Sequence, residues 1–388
     1  MPAAFVRPTR LELAAGFFLS SSDTSSVGFS GDRSGSLPPR QTLERAILRG
    51  LLKPPCVVSF SGGRDSSLVL AVAVHVARRE GLPLPVAFTR EFPKAGDSGE
   101  RAWQELVVNH LGLEDWERAC THDELDLVGP IAQAFLRAHG SLLPAPLYVI
   151  GETFKVAEGG SHMGGEGGDD ILGSRRATFA RYALSTPRWA GRRREVMVLL
   201  SQIGPRRARR PLVERQCRAV AASAWLRPDA LSLAVRQLTD DHLEEPLDWR
   251  KSLAWYLGRR YVIAYQANRK ALALSLGVDH ADPLLDPGFV EAFARAGGRL
   301  GFSSRTEAMA FLAEDLLPRP VIERTTKAAF NAAYFTSASR RFAERWSGEG
   351  VDRDLVDIEA LRAEWRKETP AALSFGLLQA AWLAEEGA

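Results

Sequence analysis

Residues 61–67 read Ser-Gly-Gly-Arg-Asp-Ser-Ser and stand between a short apolar run and a long helical pattern. Gly62 and Gly63 let the backbone turn tightly and bring bare N–H groups close to an anion. The N-terminus of the helix that follows adds partial positive charge at the same place. Ser61, Ser66 and Ser67 offer hydroxyls to phosphate oxygens. Asp65 would repel a phosphate unless a cation stands between them, and Mg²⁺ takes carboxylate and phosphate oxygens together. The turn has no Gly-Lys-Ser/Thr, so it is not a Walker loop. A plain strand–helix turn with Asp65 near the cap is the alternative reading.

About a hundred residues on, Ser161 to Gly173 reads SHMGGEGGDDILG. Four glycines around Glu166, Asp169 and Asp170 make a poor helix or strand. The segment makes sense where backbone, Gly165 in particular, must come close to a ligand while carboxylates hold a metal or act on substrate. A solvated acidic loop is the alternative.

These residues need a frame. CVVSF (56–60) and PVAFT (85–89) read as buried strands of a parallel sheet. Residues 68–81, 100–110 and 126–138 read as helices, the first ending at Gly81 with basic residues in its last turn. Strand, glycine turn, helix, strand is the order of a parallel α/β sheet, in which ligands bind at the carboxyl ends of strands. Beyond about residue 176 the patterns are helical: 189–203, 212–226, 229–239, 249–276, 287–297, 305–316, 338–346, 357–367 and 372–384, with no further strand expected. The fold class is therefore α/β, a Rossmann-like parallel sheet flanked by helices with a mainly helical C-terminal half. The expected units are an N-terminal segment 1–40 with a Ser/Gly-rich linker and a domain 41–388. The domain divides into a nucleotide-binding core at 41–176 and a helical substrate-side half at 177–388.

Ser-Gly-Gly-x-Asp-Ser followed by Gly-Glu-Gly-x-Asp-Asp/Glu resembles the synthetase domain of asparagine synthetases and of related β-lactam synthetases and lasso-peptide macrolactam cyclases. The first loop is similar to the pyrophosphatase loop of ATP enzymes that cleave between the α and β phosphates. The resemblance runs from about residue 40 to the C-terminus. It implies that Asp65 and Asp169 hold Mg²⁺ on the pyrophosphate of ATP. It also implies that Ser61, Gly62, Gly63, Ser66 and Ser67 cradle phosphates, and that Glu166 positions or deprotonates an attacking amine. DPLLDPGFVEAF (282–293) resembles the family's Pro-Phe-Leu-Asp segment with Leu284 in place of Phe. LLPRPVIERTTKAAF (316–330) resembles the stretch carrying its catalytic lysine, here Lys327, with Phe330 at the expected spacing. A fixed ammonium suits a step that builds negative charge on an oxyanion and on the α-phosphate. Arg324, three residues ahead of Lys327, is a spacing of the lasso-cyclase-like branch. The expected reaction is ATP-dependent adenylation of a carboxylate and acyl transfer to an amine, in peptide or specialised-metabolite biosynthesis. An ammonia-dependent asparagine synthetase-like enzyme and a non-catalytic nucleotide-binding scaffold are the competing expectations. No cysteine precedes Cys56, so the N-terminal cysteine glutaminase usual in asparagine synthetases is not expected, and a partner protein is expected in its place.

The rest of the composition narrows the class. The 388 residues are 45% hydrophobic and 25% charged with net charge +3, ordinary values for a globular chain. Cys56, Cys120 and Cys217 stand far apart, which fits a reducing cytoplasm rather than a disulfide framework or a zinc site. No apolar run has the ~20 residues of a membrane span. Residues 188–218 hold ten arginines against two glutamates, read as solvated helix faces. Without interleaved aromatics they give no sign of base stacking, and nucleic acid is not expected as a partner. His162 is read as structural. Trp249, Trp255, Tyr256, Tyr261 and Tyr265 are read as a helix interior or as one wall of a substrate pocket.

Overall fold

A computed structural model describes residues 5–19, 37–92, 100–185, 202–326 and 333–386. Among the described residues five parallel strands form one sheet: β1 (Cys56–Ser59), β2 (Val86–Glu91), β3 (Trp116–Cys120), β4 (Ser161–Met163) and β5 (Asp279–Ala281). Their order is β3-β2-β1-β4-β5. β1 pairs with β2 through Val57–Val86 and with β4 through Val57–His162. The chain first winds outward from β1 to β3, then returns on the other side of β1 as β4 and β5. The reversal lies between β1 and β4, where such sheets open a crevice for ligands.

β1 is short and apolar because both faces are covered. Cys56, Val58 and Phe60 join the core formed with helices α2 (Pro39–Leu51) and α3 (Arg64–Glu80), while Val57 joins Phe88, Leu147, Phe154 and Leu272 on the opposite face. That alternation is the two-residue period of a strand. Helix α3 is buried from Ser66 through Val74 without interruption, as a helix enclosed between a sheet and other helices must be. It ends at Gly81, whose left-handed φ of 65° lets its N–H reach the carbonyl of Ala77. On the far side of the sheet, helix α6 (Leu147–Phe154) and helix Arg260–Ser275 supply the second layer.

The strands at 56–60 and 85–89 and the helices at 68–81 and 100–110 are where the sequence puts them. Three strands are additions. β3, WERAC, is an edge strand with Glu117, Arg118 and Cys120 exposed, so it lacks an apolar run. β4 and β5 have three residues each, too few to show a period. β5 corrects the expectation of no strand beyond residue 176. The helix expected at 126–138 begins at Pro130, after Gly129 and a turn built on Asp126. The pattern at 249–276 is two helices, Trp249–Leu257 and Arg260–Ser275, broken at Gly258. Most of the pattern at 189–203, and the Ser/Gly-rich stretch, lie outside the described residues. The C-terminal helices pack on a second core around Trp225, Trp346, Trp365 and Trp382. Trp249 and Tyr256 are core residues, as read from the sequence. Among the described residues no helix is long and apolar enough to cross a membrane.

Candidate active site

The loops that follow β1 and β4 meet above the crevice. Gly62 has φ 81°, and a Cβ there would lie 2.8 Å from Cγ of Gln104. Only glycine takes that backbone in that space. Gln104 in turn donates to the Ser61 carbonyl at 3.1 Å. The Ser66 hydroxyl donates to the Gly63 carbonyl at 3.1 Å and accepts from the Ser61 N–H at 3.2 Å, closing the turn from inside. Ser61, Gly63, Asp65 and Ser66 line a cavity of about 680 Å³, together with Gly164 through Asp170. That volume suits a nucleotide-sized ligand. Ser67 is set apart from the others. It is fully buried within α3 (0% exposed), its Oγ has no hydrogen-bond partner, and it is not part of the cavity wall. Gly62 shapes the turn and is likewise absent from the wall.

The second glycine loop is pressed onto the first. A Cβ at Gly165 would lie 2.7 Å from the Ser66 nitrogen, and one at Gly168 would lie 2.2 Å from Cγ of Asp65. This contact brings the two acidic positions together. Arg305, at the start of helix Arg305–Ala313, donates from Nη2 to both oxygens of Asp65 at 2.5 Å and from Nη1 to Oδ1 of Asp169. Asp65 and Asp169 therefore share one cation. Burial pushes the Asp65 carboxyl above its ordinary range and Arg305 opposes that push. Burial would lower the Arg305 guanidinium, but the two carboxylates outweigh it and hold the group above its usual value.

Among the described residues no three His, Cys, Asp or Glu side chains converge as a metal cage. The pair Asp65 and Asp169 fits magnesium in another way, because Mg²⁺ is commonly held by one or two carboxylates plus substrate phosphates. The sequence shows both carboxylates but not Arg305, which stands 240 residues from Asp65 with no motif around it.

Glu166 and Asp170 also line the cavity. Glu166 is half exposed, with Oε1 3.1 Å from Nη1 of Arg269. Tyr265 contributes to the wall, Trp255 packs on the core, and Tyr261 is exposed rather than in a helix interior. The segment leading to the expected lysine arrives here too. Arg324, Thr325 and Thr326 line the cavity. Arg324 is buried (5% exposed), donates to the Gly62 carbonyl at 2.8 Å, pairs with Glu100 and lies over the Trp103 ring at 4.9 Å. Lys327 and Phe330 themselves lie outside the described residues. In the segment 282–293, Leu285 packs where a Cβ on Gly167 would be 2.3 Å away, and Asp286 caps the helix Pro287–Gly297. A second cavity of about 560 Å³ beside Trp382 and Arg345 holds none of the motif residues.

No curated protein matches the chain. The family model for asparagine synthase matches residues 40–383. It spans both glycine loops, the sheet between them and the C-terminal helices, so the chain belongs to the asparagine synthase family, a family of ATP-dependent amide-forming ligases.

Proposed function

We propose that this chain adenylates a carboxylate with ATP, releasing pyrophosphate, and passes the acyl group to an amine. The observation that carries the reading is the meeting of the two glycine loops at the sheet's reversal, with Asp65 and Asp169 on one cation and Glu166 on the same cavity wall. In this reading the N–H groups of the Ser61–Ser66 turn and the start of α3 bind the polyphosphate. Magnesium held by Asp65 and Asp169 would neutralise that polyphosphate. Arg305 then has phosphate oxygens as a further set of acceptors. Glu166 takes the proton of the attacking amine. Lys327, next in sequence after Thr325 and Thr326, would supply a positive charge for the step that builds charge on the α-phosphate and the acyl oxygen. The Arg324-Thr325-Thr326-Lys327 sequence supports an acceptor amine carried by the substrate itself, as in macrolactam formation on a peptide or another specialised metabolite. A partner protein alongside the N-terminal segment belongs to the same reading, as does a cytoplasmic setting for the three free cysteines.

The test is the nucleotide product. The protein is incubated with ATP, Mg²⁺ and one of two probes: aspartate with ammonium, or linear peptides with a free N-terminal amine and one internal Asp or Glu. AMP and ADP are then separated by chromatography. Substrate-dependent AMP that disappears in Asp65→Asn supports adenylation. Product with aspartate and ammonium alone favours an asparagine synthetase-like reaction, and ADP would replace adenylation by acyl-phosphate chemistry.

A further inference from the structure

Under Glu166 lies a buried polar cluster that none of these steps uses. Arg269, on helix Arg260–Ser275, is 2% exposed. Its Nη1 donates to the Tyr265 hydroxyl at 2.7 Å and stands 3.1 Å from Glu166 Oε1. Its Nη2 is 3.3 Å from Asp282 Oδ1, and its Nε donates to His280 Nε2 at 3.1 Å. His280 meets His162 Nδ1 to Nδ1 at 3.0 Å, and His162 Nε2 is 2.7 Å from the Ser59 hydroxyl.

His280 Nε2 faces both the Arg269 Nε donor at 3.1 Å and the Asp282 Oδ2 acceptor at 3.2 Å. The negative charge of Asp282 is met by Arg269. Burial, with His280 and Arg269 beside it, holds His162 well below the usual histidine range.

Asp282 and Arg269 are equally buried and offset one another. His280 and Tyr265 take further N–H groups and fix the guanidinium plane. What Glu166 receives is a fixed positive charge 3.1 Å from one oxygen. The backbone before Glu166 rests on the same cluster, since a Cβ on Gly164 would lie 2.9 Å from Asp282 Oδ1 and 3.0 Å from Arg269 Nη2.

We propose that Arg269, locked by Asp282, His280 and Tyr265, is the positioning residue of the amine-transfer half of the reaction. It holds Glu166 Oε1 and leaves Oε2 to the cavity. The proposal rests on the adenylation reading above. In the step it serves, the amine nitrogen bonds to the acyl carbon, the bond from that carbon to the AMP oxygen breaks with its electron pair leaving on AMP, and the amine proton passes to Glu166 Oε2. Activation of the carboxylate precedes this and has no need of Arg269.

The test uses the full chain, the two probes named above, and the variants Arg269→Met and Arg269→Lys. Exchange of labelled pyrophosphate into ATP reads adenylation, amide formation reads the whole sequence, and hydroxylamine, a nucleophile that is already neutral and reactive at pH 7, reads transfer without a base. Arg269→Met is expected to slow amide formation by at least about tenfold, within the range of a lost general base, with exchange and hydroxamate formation little changed. Arg269→Lys is expected to fall between it and wild type. An equal loss of all three rates, or an undiminished amide rate, would overturn the proposal. No exchange in the wild type with any probe would instead fail the adenylation reading. The positioning claim then stands or falls on crystal structures of the wild type and Arg269→Met, which must show the Glu166 carboxylate beside Arg269 in the first and displaced in the second. An unmoved Glu166 would overturn it.

Discussion

Arg305 holds Asp65 with one guanidinium nitrogen and Asp169 with the other. These are the two carboxylates proposed for the metal, so the protein's own cation and a divalent cation would compete for one acidic pair. Replacing Arg305 with Met removes the guanidinium that pairs with both carboxylates, one of them largely buried, and leaves Arg64 as a nearby cation. Breaking a buried pair costs several kcal/mol, and the partial exposure of Asp169 reduces that here to about 1–2 kcal/mol. Arg305→Met is expected to melt lower than wild type in EDTA and to recover more than wild type on adding MgCl₂. Thermal melts with and without the metal check this. An equal magnesium response in both proteins would remove Asp65 and Asp169 as a shared cation site.

The contact between the glycine loops gives a sharper probe of geometry. In Gly168→Ala the new methyl would fall 2.2 Å from Cγ of Asp65, a distance no real contact tolerates, so the Asp65 carboxylate must shift. Misplacement of a catalytic group by about 1 Å costs roughly a hundredfold in rate. Gly168→Ala is expected to lose AMP formation to about that extent and to melt lower than wild type, since displacing Asp65 also disturbs its pair with Arg305. Full activity would show that the close packing of the two loops has no part in catalysis.

Arg324 links the lysine segment to the first loop through the Gly62 carbonyl and to α4 (Glu100–Leu111) through Glu100. Removing it leaves a buried Glu100 without its partner, at a cost of about 3–5 kcal/mol. Arg324→Ala is therefore expected to be both less stable and less active. Lys327→Ala, by contrast, should slow the chemical step by about 3 kcal/mol, typical for one electrostatic stabiliser, with little change in melting temperature. Chemical denaturation and single-turnover kinetics on the two variants separate these effects. A stability loss in Lys327→Ala as large as in Arg324→Ala would make the lysine structural.

How much of this was legible in the sequence depended on how local the signal is. The loops at Ser61–Ser67 and Gly164–Asp170 declare themselves because glycines and acids stand together in a few residues. β1 and β2 declare themselves through the short uncharged runs CVVSF and PVAFT, since helices cover both of their faces. β4 and β5 are too short to show a period, and β3 presents charged side chains to water. Arg305 and Arg269 carry no local signature. Each is one arginine among many, and only the fold sets it against acids more than a hundred residues away. Ser67 shows the converse case. Its type and spacing match its neighbours, yet the helical turn carries its hydroxyl into the core.

Buried His162 gives a pH dependence whose sign is fixed. His162 is buried with its pKa well below the ordinary value near 6.5, so between those two values the unfolded chain binds a proton that the folded chain does not. The stability contributed by keeping His162 neutral is thus fully present above pH ~6.5. It is lost as pH falls toward the folded value, at about 1.4 kcal/mol per pH unit. In His162→Gln that component of the slope is absent. Urea denaturation at several pH values from 7 down to 5 is expected to show wild-type stability falling more steeply than that of His162→Gln. Parallel slopes would mean that His162 takes up its proton in the folded protein and that its burial does not keep the ring neutral.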